Sequence, residues 1–547
     1  MNWTVIEQHL RFVYKERADE AVEGMCALVD RFEQVSFDKT SPLTEKNVYL
    51  ITYGDAIQRK GEVPLQTLHR FLNREAKGVI TDVHLLPMFP YTSDDGFSVT
   101  DYRAINPDYG TWQDIVSFSH DFRLMYDFVA NHLSKSSDWF KGYVAGDERY
   151  AEFFIPEDPS FDASRVVRPR TSPLIHTYGE KTAWTTFSED QVDVNVAHIP
   201  AFLELTDVLL DYLAKGASSI RLDAIGFLWK ESGTTCIHLP ETHALIQVWR
   251  ELVDHFKPGA QIITETNVPH QENISYFGSG NDEANQVYQF SLPPLVLYSY
   301  TTNDATKLSD WARQIKPVSE TATYFNFLAS HDGIGMRPTE GILDETDRQL
   351  LVDKVVHNHG RVSYKSNPDG SQTVYELNIN YMDALANAGE EDTPLHTQKM
   401  LSAHSILLSV VGVPAIYYHS LFGSRNDEAA VESSGINRRI NREKLDADTL
   451  HEELESDARR RNVFSGLKHM ISLRGQYDAF SPYADQDVLD LDTRVFAVKR
   501  TGATSTIVAV ANVSPETVEL DLSGNNVFKD TTDPITLQPY GFAWIEV

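Results

Sequence analysis

The sequence predicts an α/β protein built on a (β/α)8 TIM barrel, with two inserted rim domains and a small C-terminal antiparallel β-domain. Eight short apolar runs alternate with longer amphipathic stretches, and each run becomes polar at its end. Strands buried on both faces read as continuous apolar runs, and alternation with helices favours parallel pairing. These runs cover 47–55, 78–87, 123–132, 218–226, 261–267, 285–293, 322–332 and 413–420.

The segment ahead of the first run, 1–46, is predicted to form an N-terminal helical extension. Apolar residues recur in it at helical spacing, most clearly from Ala21 to Phe32. This periodicity is typical of an amphipathic helix. The pair Ser41-Pro42 is a helix breaker, so the helical part is expected to end there.

The barrel itself is predicted to span 47–475, with two interruptions. The stretches 133–200 and 333–395 are too long for ordinary connections between strands and helices. We therefore expect inserted domains at the rim after the third and seventh strands. From 476 to 547 the pattern changes to short alternating segments, which is typical of a small antiparallel β-domain.

Composition excludes several classes of protein. The chain has 547 residues, with 48 Lys+Arg against 79 Asp+Glu, a net charge of −31. A surface this acidic repels phosphate backbones and anionic lipids, so neither nucleic acid nor a membrane is expected as a partner. The start of the chain lacks an apolar signal core, and no apolar stretch approaches the roughly 18 residues of a membrane span. A cytoplasmic protein is therefore expected.

Carboxylates follow several of the predicted strands and suggest glycoside chemistry. Asp223 and Glu265 end consecutive runs, and Asp332 ends the seventh. In a barrel, these ends meet at one mouth, where the active sites of such barrels lie. Retaining glycoside cleavage needs one carboxylate as nucleophile and one carboxylic acid as proton donor. In an acid-rich chain any single acid is more often a surface or capping residue, but three at strand ends beside Arg221 favour the catalytic interpretation.

Four motifs support this interpretation, because they resemble the four ordered regions of the α-amylase superfamily, glycoside hydrolase family 13. They are DFVANH (127–132), IRLDAIG (220–226), ITETN (263–267) and ASHDG (329–333). The resemblance implies that Asp223 is the nucleophile, Glu265 the general acid/base and Asp332 the stabiliser of the transition state. It also implies that Arg221, His132 and His331 bind the glucose at the cleavage site.

Longer stretches at 88–112, 168–174, 187–195 and 435–444 resemble the sucrose-phosphorylase subfamily. On the glucose side, this resemblance adds Asp94, Gln191 and Arg442 as ligands. It makes Arg170 the residue that binds phosphate, which would enter as a co-substrate. It implies no cofactor and no metal, and a homodimer is common in the subfamily.

The chain departs from well-known sucrose phosphorylases near the acceptor. Phe227 stands where they have Tyr, and Asn267 stands where they have His. The patterns at 265–278 and 330–338 are closer to the branch that acts on glucosylglycerol, glucosylglycerate or sucrose 6'-phosphate. Arg337 and His176 are then candidates to neutralise an acidic acceptor.

The resulting hypothesis is a retaining phosphorylase that cleaves a small α-glucoside with phosphate, through a β-glucosyl–enzyme, to α-glucose 1-phosphate. Glucosylglycerol and glucosylglycerate are the leading substrates. Sucrose or sucrose 6'-phosphate phosphorolysis, an α-glucosidase or transglucosidase, and a non-catalytic sugar-binding barrel remain open alternatives.

Overall fold

The computed structural model describes residues 1–367 and 369–547, and eight of its strands close into a barrel. Every neighbouring pair is parallel, which confirms the predicted fold class. We label them in chain order: β1 Tyr49–Thr52, β2 Asp82–Leu85, β3 Arg123–Phe128, β4 Ala217–Leu222, β5 Gln261–Thr264, β6 Gln286–Tyr288, β7 Thr323–Asn326 and β8 Val413–Tyr417. Around the barrel the order is β1-β8-β7-β6-β5-β4-β3-β2.

The barrel strands bring polar residues to one end because their registers align. Nearly every position of these strands is buried, as expected for strands covered on both faces. Asp127 on β3 pairs in register with Arg221 on β4, and Arg221 pairs with Ile263 on β5. Residues that follow these positions, including Asp223 and Glu265, therefore leave the barrel at the same mouth.

The helices begin with the signals expected from sequence. Pro64, Pro240 and Pro394 each occupy the first helical position, where proline's missing N–H would have no intrahelical acceptor. The helices of the described residues are Trp3–Tyr14, Ala18–Phe32, Pro64–Glu75, Trp112–Ser119, Asp138–Ala145, Ile199–Ala214, Pro240–Phe256, His270–Asn273, Leu292–Thr302, Thr306–Ala312, Glu345–His357, Tyr381–Leu385, Pro394–Ser409, Tyr418–Leu421, Glu428–Ser434, Ala447–Ser456 and Ala458–Arg474. Across that part of the chain, none has the length and apolar character needed to cross a bilayer.

The first two helices pack on the outside of the barrel. Trp3–Tyr14 contacts the helix Pro240–Phe256, and the second helix of the chain contacts Ile199–Ala214. Leu10 is fully buried in this interface. At the end of the first helix, the Tyr14 hydroxyl donates a hydrogen bond to the carbonyl of Val196 at 2.8 Å. These helices thus complete the packing of two barrel helices.

Two long connections carry small sheets of their own. Between β3 and β4 lie the hairpin Ile175–Tyr178 with Lys181–Trp184 and the pair His132–Leu133 with Val192–Asp193. Between β7 and β8, Ile334–Gly335, Arg361–Ser366 and Gln372–Asn378 form a three-stranded antiparallel sheet. We call these two connections the β3–β4 segment and the β7–β8 segment.

After the last long helix, the chain forms antiparallel sheets. One contains Asp485–Val488, Val495–Thr501, Thr506–Asn512, Phe542–Glu546 and Asn525–Asn526, and a second pairs Val518–Leu520 with Ile535–Leu537. Ile57–Gln58 pairs with Leu445–Asp446 beside the barrel. The Trp544 indole N–H donates to the Ser405 hydroxyl at 3.1 Å, which ties the larger sheet to the helix before β8.

Candidate active site

A cavity of about 820 Å³ opens at the C-terminal ends of the barrel strands. Its walls come from strand ends and from both long connecting segments. Among the expected site residues, those that line it are Asp94, His132, Arg170, Gln191, Asp223, Phe227, Glu265, Asn267, His331, Asp332 and Arg337. A cavity with this many ionisable groups is the place where a polar substrate would bind and react.

Arg221 lies beneath the cavity and contacts three carboxylates. Its Nη1 is 2.5 Å from Asp127 and 2.7 Å from Asp223, and its Nη2 is 3.8 Å from Glu265. Its Nε donates to the Tyr288 hydroxyl at 3.0 Å. The side chain is 1% exposed, so the guanidinium is held in one orientation and fixes the direction of Asp223.

Glu265 faces Asp223 across the shared guanidinium and accepts a hydrogen bond from the Ala224 amide at 2.9 Å. Ala224 has a φ of 46°, a left-handed conformation that is strained for alanine and that follows directly after Asp223. Burial raises the pKa values of Asp223 and Glu265, and Arg221 opposes this shift. Since Arg221 is nearer to Asp223, we assign the shared proton to Glu265.

Asp332 is held as an anion at the cavity wall. Burial alone would raise its pKa, but Arg438, together with His331, Arg442 and Arg221, holds the pKa of Asp332 below its usual value. The Arg438 Nη1 lies 2.7 Å from Asp332. The Nε and Nη2 of Arg438 donate hydrogen bonds to Glu376 at 2.8 and 3.0 Å. This leaves an ionised carboxylate beside the Asp223–Glu265 pair.

The two expected histidines line the cavity as buried aromatic rings. His132 Nε2 lies 3.1 Å from the Phe97 carbonyl, and burial lowers the pKa of His132 to about 4. The His331 ring stacks on Phe97 with centroids 4.9 Å apart, and burial lowers the pKa of His331. Gln191 donates to Asp94 at 3.1 Å. A neutral imidazole has one donor and one acceptor, and both ring nitrogens of His132 are engaged, by the Phe97 carbonyl and by the Asn131 amide.

Arg442 was expected to bind the glucose together with Asp94, but it is not among the residues that line the cavity. Its Nη1 binds Asp95 at 2.8 Å and its Nε donates to the His331 carbonyl at 2.9 Å, so it braces the wall behind the cavity. The lining arginine from the same motif is Arg438. Motif reading missed this residue, although the repeated Arg pattern of GINRRINREK offered both candidates.

Arg170 is positioned by aromatic rings from both connecting segments. Its guanidinium carbon lies 5.5 Å from the centre of Phe187 in the β3–β4 segment and 5.2 Å from Tyr375 in the β7–β8 segment. In the part of the chain that the structure describes, no carboxylate comes within ion-pairing distance of it. Its charge is therefore available to an incoming anion.

The acceptor side contains more positive charge than the sequence indicated. Arg168 and Lys365 line the cavity together with Arg170 and Arg337. Burial lowers the pKa of Lys365, and the neighbouring Arg337 lowers it further. Four basic groups thus line the cavity, and we call the part of its wall that they form the acceptor side. Arg168 begins the stretch 168–174, in which only Arg170 was singled out from the sequence. Lys365 lies in a connecting segment with no recognised motif, so only the three-dimensional structure identifies it.

Of the remaining expected residues, Asn267 on the acceptor side and Phe227 on the glucose side reach the cavity, whereas His176 does not. Asn267 lines the cavity, and its side-chain oxygen is buried without a protein donor among the described residues. Phe227 also lines it, edge-on to Phe187 with centroids 5.5 Å apart. His176 is not among the lining residues. Its ring binds the Thr185 hydroxyl at 2.7 Å within the hairpin of the β3–β4 segment.

A buried lysine lies next to the glucose side. The Lys230 ammonium is 2.7 Å from Asp193 and 2.9 Å from the Asn131 side-chain oxygen, and the side chain is 3% exposed. The carboxylate of Asp193 also accepts from the Asn131 side-chain amide at 3.1 Å. Within the described residues, no group of three His, Cys, Asp or Glu side chains has a geometry suited to a metal ion.

Comparisons with known proteins identify the family to which the chain belongs. A model of the α-amylase catalytic domain matches residues 77–338. A glucosylglycerate phosphorylase of Spirochaeta thermophila is 46% identical, with 97% of this chain and 94% of that protein covered. One of Allomeiothermus silvanus is 44% identical, with 99% and 98% covered. The chain therefore belongs to the α-amylase family, which confirms the resemblance found in the sequence.

Within this family the chain is a glycoside phosphorylase, an enzyme of the transferase class. The fold agrees with that of sucrose 6F-phosphate phosphorylase from Thermoanaerobacter thermosaccharolyticum. The TM-score is 0.75 at 24% identity, with 90% of this chain and 98% of that one covered. This likeness concerns the fold alone.

Proposed function

We propose that the enzyme catalyses the reversible phosphorolysis of an α-glucoside of glycerate, with α-glucose 1-phosphate and glycerate as products. The observation that carries the substrate assignment is the group of four cations on the acceptor side of the cavity, Arg168, Arg170, Arg337 and Lys365. The relatives named glucosylglycerate phosphorylase support the same substrate.

In the first step, the Asp223 carboxylate attacks the anomeric carbon of the glucoside while Glu265 protonates the departing oxygen. The bond between the anomeric carbon and glycerate breaks as the bond to Asp223 forms, giving a β-glucosyl–enzyme. Arg221 keeps Asp223 ionised and correctly oriented before the attack. Asp332 stabilises the positive charge that develops on the sugar ring.

In the second step, phosphate takes the place that glycerate left. A phosphate oxygen attacks the anomeric carbon from the side opposite Asp223, and the bond to Asp223 breaks. Glu265, now ionised, accepts the proton of a monohydrogen phosphate or returns it in the reverse direction. Two inversions give net retention, so the product is α-glucose 1-phosphate.

The same cations serve both leaving group and nucleophile, because glycerate and phosphate occupy one subsite in turn. Phosphate is a dianion and glycerate a carboxylate, and a guanidinium binds either one in a bidentate manner. A site intended for neutral fructose or glycerol would bury this much positive charge during the first step without an anion to balance it. An anionic acceptor satisfies these groups in both steps.

An acceptor screen in the synthetic direction tests this assignment. The enzyme is supplied with α-glucose 1-phosphate and with glycerate, glycerol, fructose or fructose 6-phosphate, and phosphate release is measured. We expect kcat/KM for glycerate to exceed that for glycerol by ~10- to 100-fold, because charge-assisted hydrogen bonds contribute about 1.5–3 kcal/mol. Glycerol is the matched control, since it differs only by the carboxylate.

Equal use of glycerol and glycerate would contradict the assignment, and preference for fructose 6-phosphate would favour the sucrose 6'-phosphate alternative. Cleavage that yields free glucose at the same rate with and without phosphate would instead indicate a hydrolase. We also propose that the enzyme acts in the cytoplasm as a homodimer. Cell fractionation and the native mass in solution test these two points.

A further inference from the structure

A carboxylate outside the cavity lining contacts the cations of the acceptor side. Glu272, on the short helix His270–Asn273 after β5, has its Oε2 3.6 Å from the Arg337 Nη2. Its side chain is 43% exposed, whereas that of Arg337 is 16% exposed. Glu272 thus approaches Arg337 from the solvent side, while Arg337 faces the cavity. Among the four acceptor cations, Glu272 lies within ion-pairing distance of Arg337, and the reaction described above does not use it.

His238 holds Glu272 in this position. The His238 Nε2 lies 3.1 Å from Glu272 Oε2, and the Nδ1 lies 2.6 Å from the Tyr276 hydroxyl. A carboxylate only accepts, so Nε2 of His238 carries a proton and donates it to Glu272, while Nδ1 and the Tyr276 hydroxyl share a second hydrogen bond. Tyr276 is fully buried, and a Cβ at Gly226 would approach its hydroxyl to 3.0 Å. The chain of contacts is therefore anchored in the barrel.

Glu272 remains ionised. The hydrogen bond from His238 lowers the pKa of Glu272, and the positive charges of Arg337 and Lys365 lower it further, although partial burial opposes this. A permanent negative charge therefore lies close to the four cations of the acceptor side and reduces their positive potential. Since Coulomb energy scales with the product of charges, this one charge weakens the binding of a dianion twice as much as that of a monoanion.

We propose that Glu272, positioned by His238, determines the charge preference of the acceptor subsite by cancelling part of the field of Arg337 and Lys365, so that the subsite suits an acceptor with a single negative charge. This proposal rests on the proposed function, because it concerns the acceptor of that reaction. Glu272 acts through Arg337 and is a positioning residue that touches neither substrate.

The test compares three-carbon ligands whose charges are 0, −1 and −2: glycerol, glycerate and tartronate. For a double-displacement reaction, kcat/KM for the acceptor reports the second half-reaction alone, so the phosphate of the donor does not influence it. Tartronate is measured as an acceptor or as a competitive inhibitor against glycerate. With Glu272→Gln we expect binding to strengthen by about threefold per unit of ligand charge relative to glycerol.

Arg337→Gln should change the same series in the opposite direction, and Glu272→Asp should restore the wild-type order. The matched control is Glu320→Gln, an exposed carboxylate just before β7, at the end of the barrel opposite the cavity. We expect that control to change each constant by less than about twofold.

Equal changes in the constants of all three ligands in Glu272→Gln, or the same charge-dependent change in Glu320→Gln, would overturn the inference. The wild-type acceptor screen decides the proposed function separately. If the wild-type enzyme does not use glycerate, the proposed substrate is wrong. If the wild-type enzyme uses glycerate but Glu272→Gln changes the constants of all three ligands equally, only the proposed role of Glu272 is wrong.

Discussion

Arg221 shows how one side chain can organise a whole reaction centre. Its guanidinium contacts Asp127, Asp223 and Glu265. Because it lies nearer to Asp223 than to Glu265, it favours the ionised form of Asp223 over that of Glu265. His84 completes the arrangement, because its Nε2 lies 2.6 Å from Asp127. Asp127 therefore has two donors of its own and does not compete for the proton of Glu265.

The roles of Asp223 and Glu265 can be distinguished by comparing substrates that have different leaving groups. With the natural glucoside, Glu265→Gln should lower kcat by ~10²- to 10⁴-fold, because the departing oxygen is no longer protonated. With α-glucosyl fluoride, whose leaving group needs no proton, the first step should recover much of its rate. Stopped-flow measurement of fluoride release checks this expectation.

The pH profile offers a second measure of the same variant. Burial raises the pKa of Glu265, so the acid form is present below this raised pKa and is lost as pH rises through it. The alkaline limb of kcat/KM should therefore disappear in Glu265→Gln. Asp223→Asn is the control, since it should abolish turnover with either leaving group. A fluoride rate equal to that of wild type in Asp223→Asn would refute the nucleophile assignment.

Among the structural elements, the strands were predictable and the turns between them were not. Each barrel strand is a continuous apolar run, so burial on both faces can be read from residue type. The orientation of Arg438 and Arg442 depends on the tight turn Asn437–Asn441 and on Asp95, which has a φ of 45°. Such contacts join residues far apart in the chain, and no local pattern encodes them.

The residues of the acceptor side were predicted only in part, because contacts between distant parts of the chain bring some of them to the cavity. Arg170 and Arg337 belong to stretches that match a family motif, whereas Lys365 and Tyr375 reach the cavity only because their strands pair in the β7–β8 segment. The position of His176 depends on its partner Thr185 across a hairpin. Motifs therefore identified the glucose side more completely than the acceptor side.

The connection after β3 depends on Lys230, and its removal should be costly. Lys230→Met preserves the length of the side chain but leaves the Asp193 carboxylate buried without its cation. Breaking a buried ion pair in this way costs about 3–5 kcal/mol. Urea unfolding of the variant should show this loss in the free energy of unfolding.

Lys77→Met provides the comparison at the surface. The Lys77 side chain is 61% exposed and its ammonium pairs with Asp121 at 2.9 Å. Exposed ion pairs contribute about 0–1 kcal/mol, so this variant should unfold almost as wild type does. Similar losses in both variants would show that the environment of Lys230 has no special role.

For the whole molecule, the first two helices belong to the folded core. Leu10 is fully buried where the first helix meets the barrel, while Phe12 on the same helix is 47% exposed. Leu10→Ala should lower the free energy of unfolding by about 2–5 kcal/mol, and Phe12→Ala should change it by less than about 1 kcal/mol. Chemical denaturation measures both, and kcat should stay unchanged in both variants because the helix lies outside the barrel.

Equal effects of these two substitutions would indicate that the helix is only loosely attached. The sequence pattern predicted the helical character of this segment, because apolar spacing is local. It did not predict which barrel helices the segment would cover, since packing partners are set by the shape of the complete surface.

In the proposed reaction, residues at the ends of barrel strands such as Asp223, Glu265 and Asp332 act on the glucosyl group, whereas the four cations lie on the two long connecting segments. The hexose-binding framework and the selectivity for the second product therefore rest on separate stretches of polypeptide. Exchange of one connection between related enzymes can alter which alcohol is transferred, while the machinery that handles the anomeric centre stays intact. Recombination of these connecting segments is therefore a route by which such enzymes can diversify.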